Sequence, residues 1–359
     1  MTERREKISS FDALRAYSCL MVMAYHAHLL VPGYSGLSTF FVMSGFLCVY
    51  NYYGDGRTAR LGLRESLSFS LKKIKKLYPL HLVMLIYPLL TQTYGLVHGL
   101  VPIGSYISML TANALLVHAW IPLNRYYFSY NIPSWFLSAM MFIYFVFPLV
   151  LRRMEKYRSR RTAFLVALGV YLLQIASSLV FEKILLATVG SDSRTYPETY
   201  QWFIQVFPVY RLGDFVIGGN LAYIFMHREE KELSPVHCTV LELAAVVLVV
   251  LAEITYQRAP KNTTCIFMVS SAVLVYAFAL SKGYIARALT NKIVKHLAAL
   301  SSDIYLIHFP VLMVAGLVST NLPLDLSVQK LFYVLFTFCG TYCLSLISQA
   351  IRKKYRRFT

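Results

Sequence analysis

Eleven apolar runs, each near the length that carries an α-helix across a bilayer, dominate this chain. They fall at roughly 11–31, 38–53, 77–96, 101–120, 133–151, 162–181, 205–226, 237–256, 262–281, 298–319 and 331–351. About 20 apolar residues cross a hydrocarbon core as a helix, so the expected fold is an all-α polytopic membrane protein. Composition agrees. Of 359 residues, 57% are apolar and only 14% are charged, where a soluble domain carries about 25% charge. That excludes a disordered chain, a collagen-like chain and an ordinary cytosolic enzyme. No polar stretch is long enough for a soluble domain of its own. One membrane domain over 1–359 is expected, with no separate extracellular domain after the last run.

The net charge of +18 is concentrated between the runs. Basic stretches occur at Arg4–Lys7, Arg57–Lys76, Arg152–Arg161, Arg228–Lys231, Lys282–Lys295 and Arg352–Arg357. Cationic loops hold membrane topology by staying on the cytoplasmic side. That explains the charge without nucleic acid, for which no motif is present. Two cytoplasmic stretches must be separated by an even number of crossings. Every neighbouring pair obeys this except Lys76 and Arg152, which have three runs between them. The run at 101–120 carries Pro102, Gly104, Asn113 and His118 and is the weakest of the three. It is expected to lie in the outer interface or to re-enter there, which is tolerated where protein buries the backbone. Ten spans with both termini cytoplasmic follow. The inner stretches then hold 27 basic residues and the outer loops six, the asymmetry that this orientation requires.

The basic start of the chain leads into an apolar run without a small-residue cleavage site, so a retained first span is expected rather than a signal peptide. Of six cysteines, Cys265 alone is expected to face outward. No CxxC pair exists, and no metal is expected.

Polar groups inside apolar runs are costly and mark candidate sites. The first run holds Asp12, Arg15, His26 and His28. Arg15 and His26 are eleven residues apart, almost three helical turns. They share one helix face about 16 Å apart along the axis. A cation near the inner surface and an imidazole deep in the bilayer suit a long anionic ligand lying along that helix, in one cofactor-sized shaft that the shared face borders. Taken alone, Arg15 could simply snorkel to headgroups. Gly36 to Gly45 is rich in small residues that permit close approach of a helix or a ligand. Lys72, Lys73, Lys75 and Lys76 cluster at the inner mouth of the third run, where phosphates could dock or the charge could merely set topology. Trp135 opens the run at 133–151. Arg211 and Asp214 are three apart and can pair. Asp303 and His308 lie within the run at 298–319.

Together these segments resemble the acyltransferase-3 family of integral membrane O-acyltransferases. Phe11-Asp12-Ala13-Leu14-Arg15 is similar to the family's L-D-G-L-R opening, and Arg15 to His26 fits its R-X10-H spacing. Phe40-Phe41-Val42-Met43-Ser44-Gly45-Phe46-Leu47 resembles F-F-V-L-S-G-F-L. Lys73, Lys76, Leu77, Tyr78 and Pro79 stand where R-x-x-R-I-Y-P is usual. Trp135-Phe136-Leu137-Ser138 resembles W-S-L-S, Arg211 to Gly218 resembles R-x-x-E-F-x-x-G, and Tyr305-Leu306-Ile307-His308 matches Y-L-I-H. The motifs occur in order over nearly the whole chain. Two acids depart from the pattern. Ser38 stands where the family often has Asp, and Met140 or Met141 where it has Glu. Whatever those acids do elsewhere is done differently here or not at all.

The resemblance implies an acyl-CoA donor, acetyl-CoA first, entering from the cytoplasm of a bacterial-type plasma membrane. The implied acceptor is a hydroxyl of a glycan or lipid-linked sugar near the outer face, in contact with membrane lipid. Donor phosphates would rest near Arg15, Lys73 and Lys76, with Tyr78 and Ser44 beside them. His26 would act as general base, oriented by Asp214 or His308, and an acyl-His intermediate is the variant. Trp135, Ser138 and Arg211 would face the acceptor. The rival reading is an exporter of a small polar or lipid-linked substrate, with the same charges lining its path and no acyl transfer.

Overall fold

The computed structural model describes residues 5–29, 33–190, 195–229, 233–258, 264–323 and 325–355. Arg4, Arg194, Lys231, Lys261, Arg356 and Arg357, part of the charge asymmetry above, lie outside the described residues. Among the described residues every regular element is a helix. In chain order these are α1 (Phe11–His26), α2 (Tyr34–Tyr52), α3 (Leu63–Ile74), α4 (Tyr78–Met84), α5 (Ile86–Val97), α6 (Ile103–Ala114), α7 (Asn124–Tyr127) and α8 (Trp135–Met154). There follow α9 (Arg160–Val189), α10 (Thr195–Gln201), α11 (Pro208–Met226), α12 (Pro235–Arg258), α13 (Thr264–Ala279), α14 (Tyr284–Leu289), α15 (Lys292–Thr320) and α16 (Leu326–Tyr355). A π-helical turn, Trp202–Val206, leads into α11.

Among the described residues, six helices are long and apolar enough to cross a membrane: Tyr78–Val97, Ile132–Met154, Arg160–Val189, Pro235–Arg258, Lys292–Thr320 and Leu326–Lys354. The expected count of ten would also need α1, α2, α11 and α13, which are shorter or more polar. Their neighbours explain how this is tolerated. α2 and α11 cross at the centre of the bundle. α1 packs on α2 and α15, α8 on α3 and α11, and α13 on α2 and α12. The periphery differs in kind. Only 11% of the most apolar stretch of α9 is buried, against 61% for α15. A helix apolar on every face but mostly uncovered has lipid as its solvent.

The central crossing depends on glycine. A Cβ on Gly45 of α2 would strike the Phe215 carbonyl of α11, and one on Gly218 of α11 would strike the Val42 carbonyl of α2. Close backbone approach is how helices associate where no hydrophobic effect drives them. Here the small-residue run serves helix packing.

The run at 77–96 is not one straight helix. Pro88 lacks the N–H that would bond to Met84, and its ring crowds that carbonyl, so the ladder breaks at Leu85 between α4 and α5. The run at 101–120 ends as a helix after 12 residues, about 18 Å. Leu116 then takes a left-handed conformation, φ 56°, and the chain turns back toward α8. Its carbonyls are held by side chains. Tyr78 Oη donates to Ala114 O at 2.8 Å, Ser138 Oγ to Leu116 O at 2.5 Å, and Trp202 Nε1 to Ala119 O at 2.9 Å. Irregular backbone at membrane depth requires this kind of satisfaction. Cys265, expected to face outward, is buried, its Sγ 3.4 Å from Tyr210 Oη.

Gly218→Leu should cost about 3 kcal/mol or more by overpacking the α2–α11 crossing. Gly169→Ala, with open space around it in α9, should be neutral or stabilise by up to about 1 kcal/mol. Detergent-solubilised folded yield and thermal unfolding of the two variants check the contrast.

Candidate active site

Asp12, Arg15, Val22 and His26 of α1 border two cavities that lie at opposite ends of the helix. The first, about 570 Å³, is lined by Arg5, Lys7, Asp12, Arg15, Ser44, Tyr52, Lys73 and Tyr144 among others. Four cations face it against two acids, Glu6 and Asp12. Lys7 pairs with Asp12 at 2.5 Å. Lys73 Nζ donates to Tyr52 Oη at 2.8 Å and sits over the Tyr52 ring at 4.5 Å. Arg5 Nη2 donates to Tyr53 O at 3.1 Å, which folds the N-terminal segment across the mouth. A cavity with surplus cations and aromatic walls suits phosphate beside a flat ring.

The second cavity, about 460 Å³, lies at the other end of α1. It is lined by Tyr25, His26, His28, Tyr34, Phe128, Trp135, Gln201, Gln205, Tyr305 and Phe309 among others. α1 stops here because His28 adopts φ 57° and Leu29 N donates back to Ala24 O at 2.9 Å, closing the last turn. The His26 ring lies 5.3 Å from that of His308 on α15, centroid to centroid. His308 Nδ1 is 3.1 Å from Ile304 O. A carbonyl only accepts, so Nδ1 carries the hydrogen and Nε2 is left as a bare acceptor. That Nε2 is buried and has no partner among the described residues. His26 therefore lines an aromatic chamber with two amides and His28, and His308, with an unused lone pair, lies buried against the His26 ring.

The single open shaft expected along α1 is absent. Phe40 lies one turn from Ser44, which lines the first cavity, and one turn from Leu37, which lines the second. Its ring packs at 5.8 Å on both Phe136 and Tyr305, and those two rings are 5.3 Å apart. Val22 of α1 closes the group. The cavities are thus separated by an aromatic septum.

Of the residues singled out from sequence, Arg15, Ser44 and Lys73 meet at the first cavity, and His26 and Trp135 at the second. His308 stands against His26. The others lie elsewhere. Lys76 lines a different groove. Tyr78 and Ser138 spend their hydroxyls on the backbone carbonyls of Ala114 and Leu116. Asp214 is held by Arg211 and Gln174 and not by His26. Its Oδ2 is 2.8 Å from Arg211 Nη1, and its Oδ1 accepts from Gln174 Nε2 at 3.2 Å. Arg211 in turn donates from Nε to Gln205 O at 2.6 Å and from Nη2 to Ile204 O at 2.8 Å. The pair clamps the π-helical turn and so positions Gln205, whose amide donates to Tyr34 Oη. Asp303 pairs with Arg352. Sequence reading missed Arg5, Tyr52 and Tyr144 at the first cavity and Gln201 and Gln205 at the second. The glutamines carried a signal, two uncharged polar groups one helical turn apart at the edge of an apolar run.

The helical bundle thus has a cationic cavity at one end of α1 and a chamber lined by histidines and aromatic rings at the other. An acyltransferase domain model matches residues 8–349, and the chain belongs to the acyltransferase-3 family. It is 26% identical over 243 residues to the acyltransferase MdmB of Streptomyces mycarofaciens, covering 62% of this chain and 59% of that protein. It is 25% identical over 340 residues to the putative peptidoglycan O-acetyltransferase YrhL of Bacillus subtilis strain 168, covering 88% of this chain and 50% of that protein. The chain therefore spans little more than half the length of these relatives. No solved structure matches it significantly.

Asp214→Ala leaves a buried guanidinium uncompensated and should destabilise the fold by about 3–5 kcal/mol. Asp214→Asn, which keeps an acceptor, should cost less. Thermal unfolding of the purified variants measures both.

Proposed function

We propose that this chain is a membrane O-acyltransferase that takes an acyl group, acetyl first, from acyl-CoA in the cationic cavity. It delivers that group to a carbohydrate hydroxyl in the histidine chamber. The observation that carries this reading is the placement of Arg15 and His26. They border separate cavities at the two ends of one helix, one suited to phosphate and the other to proton transfer. Arg15, Lys73, Arg5 and Lys7 would neutralise the donor's phosphates, and Tyr52 and Tyr144 offer flat surfaces to its base. The pantetheine arm is long and thin, and the distance from Arg15 to His26, about 16 Å along the helix, is one it can cover. Passage requires Phe40, Phe136 and Tyr305 to rotate aside.

In the transfer step the acceptor oxygen forms a bond to the thioester carbonyl carbon, and the carbon–sulfur bond breaks. His26 takes the hydroxyl proton and returns it to the departing thiolate. His308, whose ring is 5.3 Å from that of His26, would orient the His26 imidazole from behind the chamber wall. Aromatic rings with Gln201 and Gln205 form the mixed apolar and amide surface that binds sugars. The cationic cavity is assigned to the cytoplasmic side, with both termini, on the strength of the basic loops.

An exporter would use the same chamber without donor binding. Incubating purified protein with acetyl-labelled acetyl-CoA separates the two: label lost to water or moved to an acceptor supports transfer, and no CoA binding supports export.

His26→Ala should lower transfer about 10²–10⁴-fold with donor affinity intact. Normal turnover in that variant, measured with labelled donor, would end the mechanism. Arg15→Ala should weaken donor binding roughly tenfold or more, read by calorimetry with CoA. Unchanged affinity would remove Arg15 from the donor site.

A further inference from the structure

The helix α3 carries two rows of side chains on its exposed side. Arg64, Ser68, Lys72 and Lys75 follow one another at steps of four, four and three residues, which sets them in one line along a helix. Lys75 belongs to that line because its backbone angles stay helical just past Ile74. Leu67 and Leu71 form a second line beside the first, 49% and 51% exposed. The opposite side of α3 is spent on the bundle. There Ser70 Oγ donates to Met141 O of α8 at 2.5 Å, and the Phe69 ring packs on that of Phe147 at 5.8 Å.

Both lines border one groove of about 580 Å³. Its other wall is Tyr78 at the start of α4, the turn at 114–116 that ends α6, and Met141. Leu115 in that turn is 61% exposed, so the groove is apolar on both sides of its basic line. No carboxylate lines it among the described residues. Glu65, the one acid of α3, accepts from the Gly62 N–H at 2.7 Å and so serves the start of the helix. Arg64, Lys72 and Lys75 take part in no ion pair among the described residues. Three cations therefore meet an apolar surface without a counter-charge.

That combination selects the occupant. A small free anion would match the cations and leave the leucines bare. A neutral lipid would cover the leucines and leave the cations unmatched. An anionic amphiphile satisfies both, because the lines run side by side and one molecule can lay its phosphate on the first and a hydrocarbon chain on the second. Helices divided in this way bind anionic lipid through apolar area and charge together, and basic pockets between helices of membrane proteins take lipid headgroups.

We propose that the groove between α3 and the end of α6 binds one anionic phospholipid. Lys72 and Lys75, one helical turn apart, hold its phosphate. Ser68 and Arg64 meet the rest of the headgroup, and one acyl chain lies over Leu67, Leu71 and Leu115. The lipid then ties α3 to the turn that ends α6, while Lys73, on the other side of α3, stays in the cationic cavity. The site does not depend on the acyl-transfer reading.

The test is native mass spectrometry of the purified, delipidated full chain titrated with palmitoyl-oleoyl phosphatidylglycerol or with the matching phosphatidylcholine. One phosphatidylglycerol per chain should be retained in preference to phosphatidylcholine. Arg64→Gln, Lys72→Gln and Lys75→Gln, all at exposed positions, should each weaken that retention about fivefold. Leu71→Asn, also exposed, should weaken retention of either lipid. Lys292→Gln, an exposed cation at the start of α15 and outside the groove, should change nothing. The proposal is overturned if both lipids are retained equally, if no lipid is retained, if the three α3 variants bind phosphatidylglycerol as the unaltered chain does, or if Lys292→Gln weakens binding as much as they do.

Discussion

The near-contact of α2 and α11 at Gly45 and Gly218 is the constraint on which the rest of the bundle depends. In lipid there is no water to expel between helices, so close packing and internal hydrogen bonds must hold the centre. Two helices, α2 with its small and hydroxyl residues and α11 with Arg211 and Asp214, are drawn together and shielded by α8, α9 and α13. Everything chemical hangs from that pair. α2 supplies Ser44 and Tyr52 to one cavity and Tyr34 to the other, with Phe40 between them. α11 supplies Arg211 and Asp214, whose buried pair secures the π-helical turn and so fixes Gln205 at the wall of the histidine chamber.

The aromatic septum gives the bundle its second property, two compartments instead of a pore. Phe40, Phe136 and Tyr305 come from three different helices, and each touches the other two. The same division explains how Arg15 and His26 share a helix yet face different environments. Inward of the septum, charge is plentiful. Beyond it, the chamber offers rings, two amides and two imidazoles.

The cluster of four lysines shows how a charge run is divided by geometry. Lys73 turns into the cationic cavity, and Lys76 turns outward to the groove it shares with Arg352. Lys73 lies in the last turn of α3, which ends at Ile74, and Lys76 in the turn that follows, so their directions separate. Position along a sequence predicted their neighbourhood but not the space each would serve.

Hydropathy by itself determined that this chain is a helical membrane protein, because apolar run length and charge placement act one residue at a time and need no partner. Polar and turn-forming residues also marked 101–120 as the weakest run, and its helix α6 stops after 12 residues there. The Arg15–His26 spacing, a local property of one helix, was equally legible. Contacts between helices were not. Only the tertiary structure paired His26 with His308, turned Arg211 and Asp214 into a clamp, and filled the expected shaft with three rings. Each of those outcomes depends on how α1, α2, α8, α11 and α15 rotate against one another. That rotation is set by packing of glycines and rings from distant parts of the chain, and no periodicity within a single segment records it.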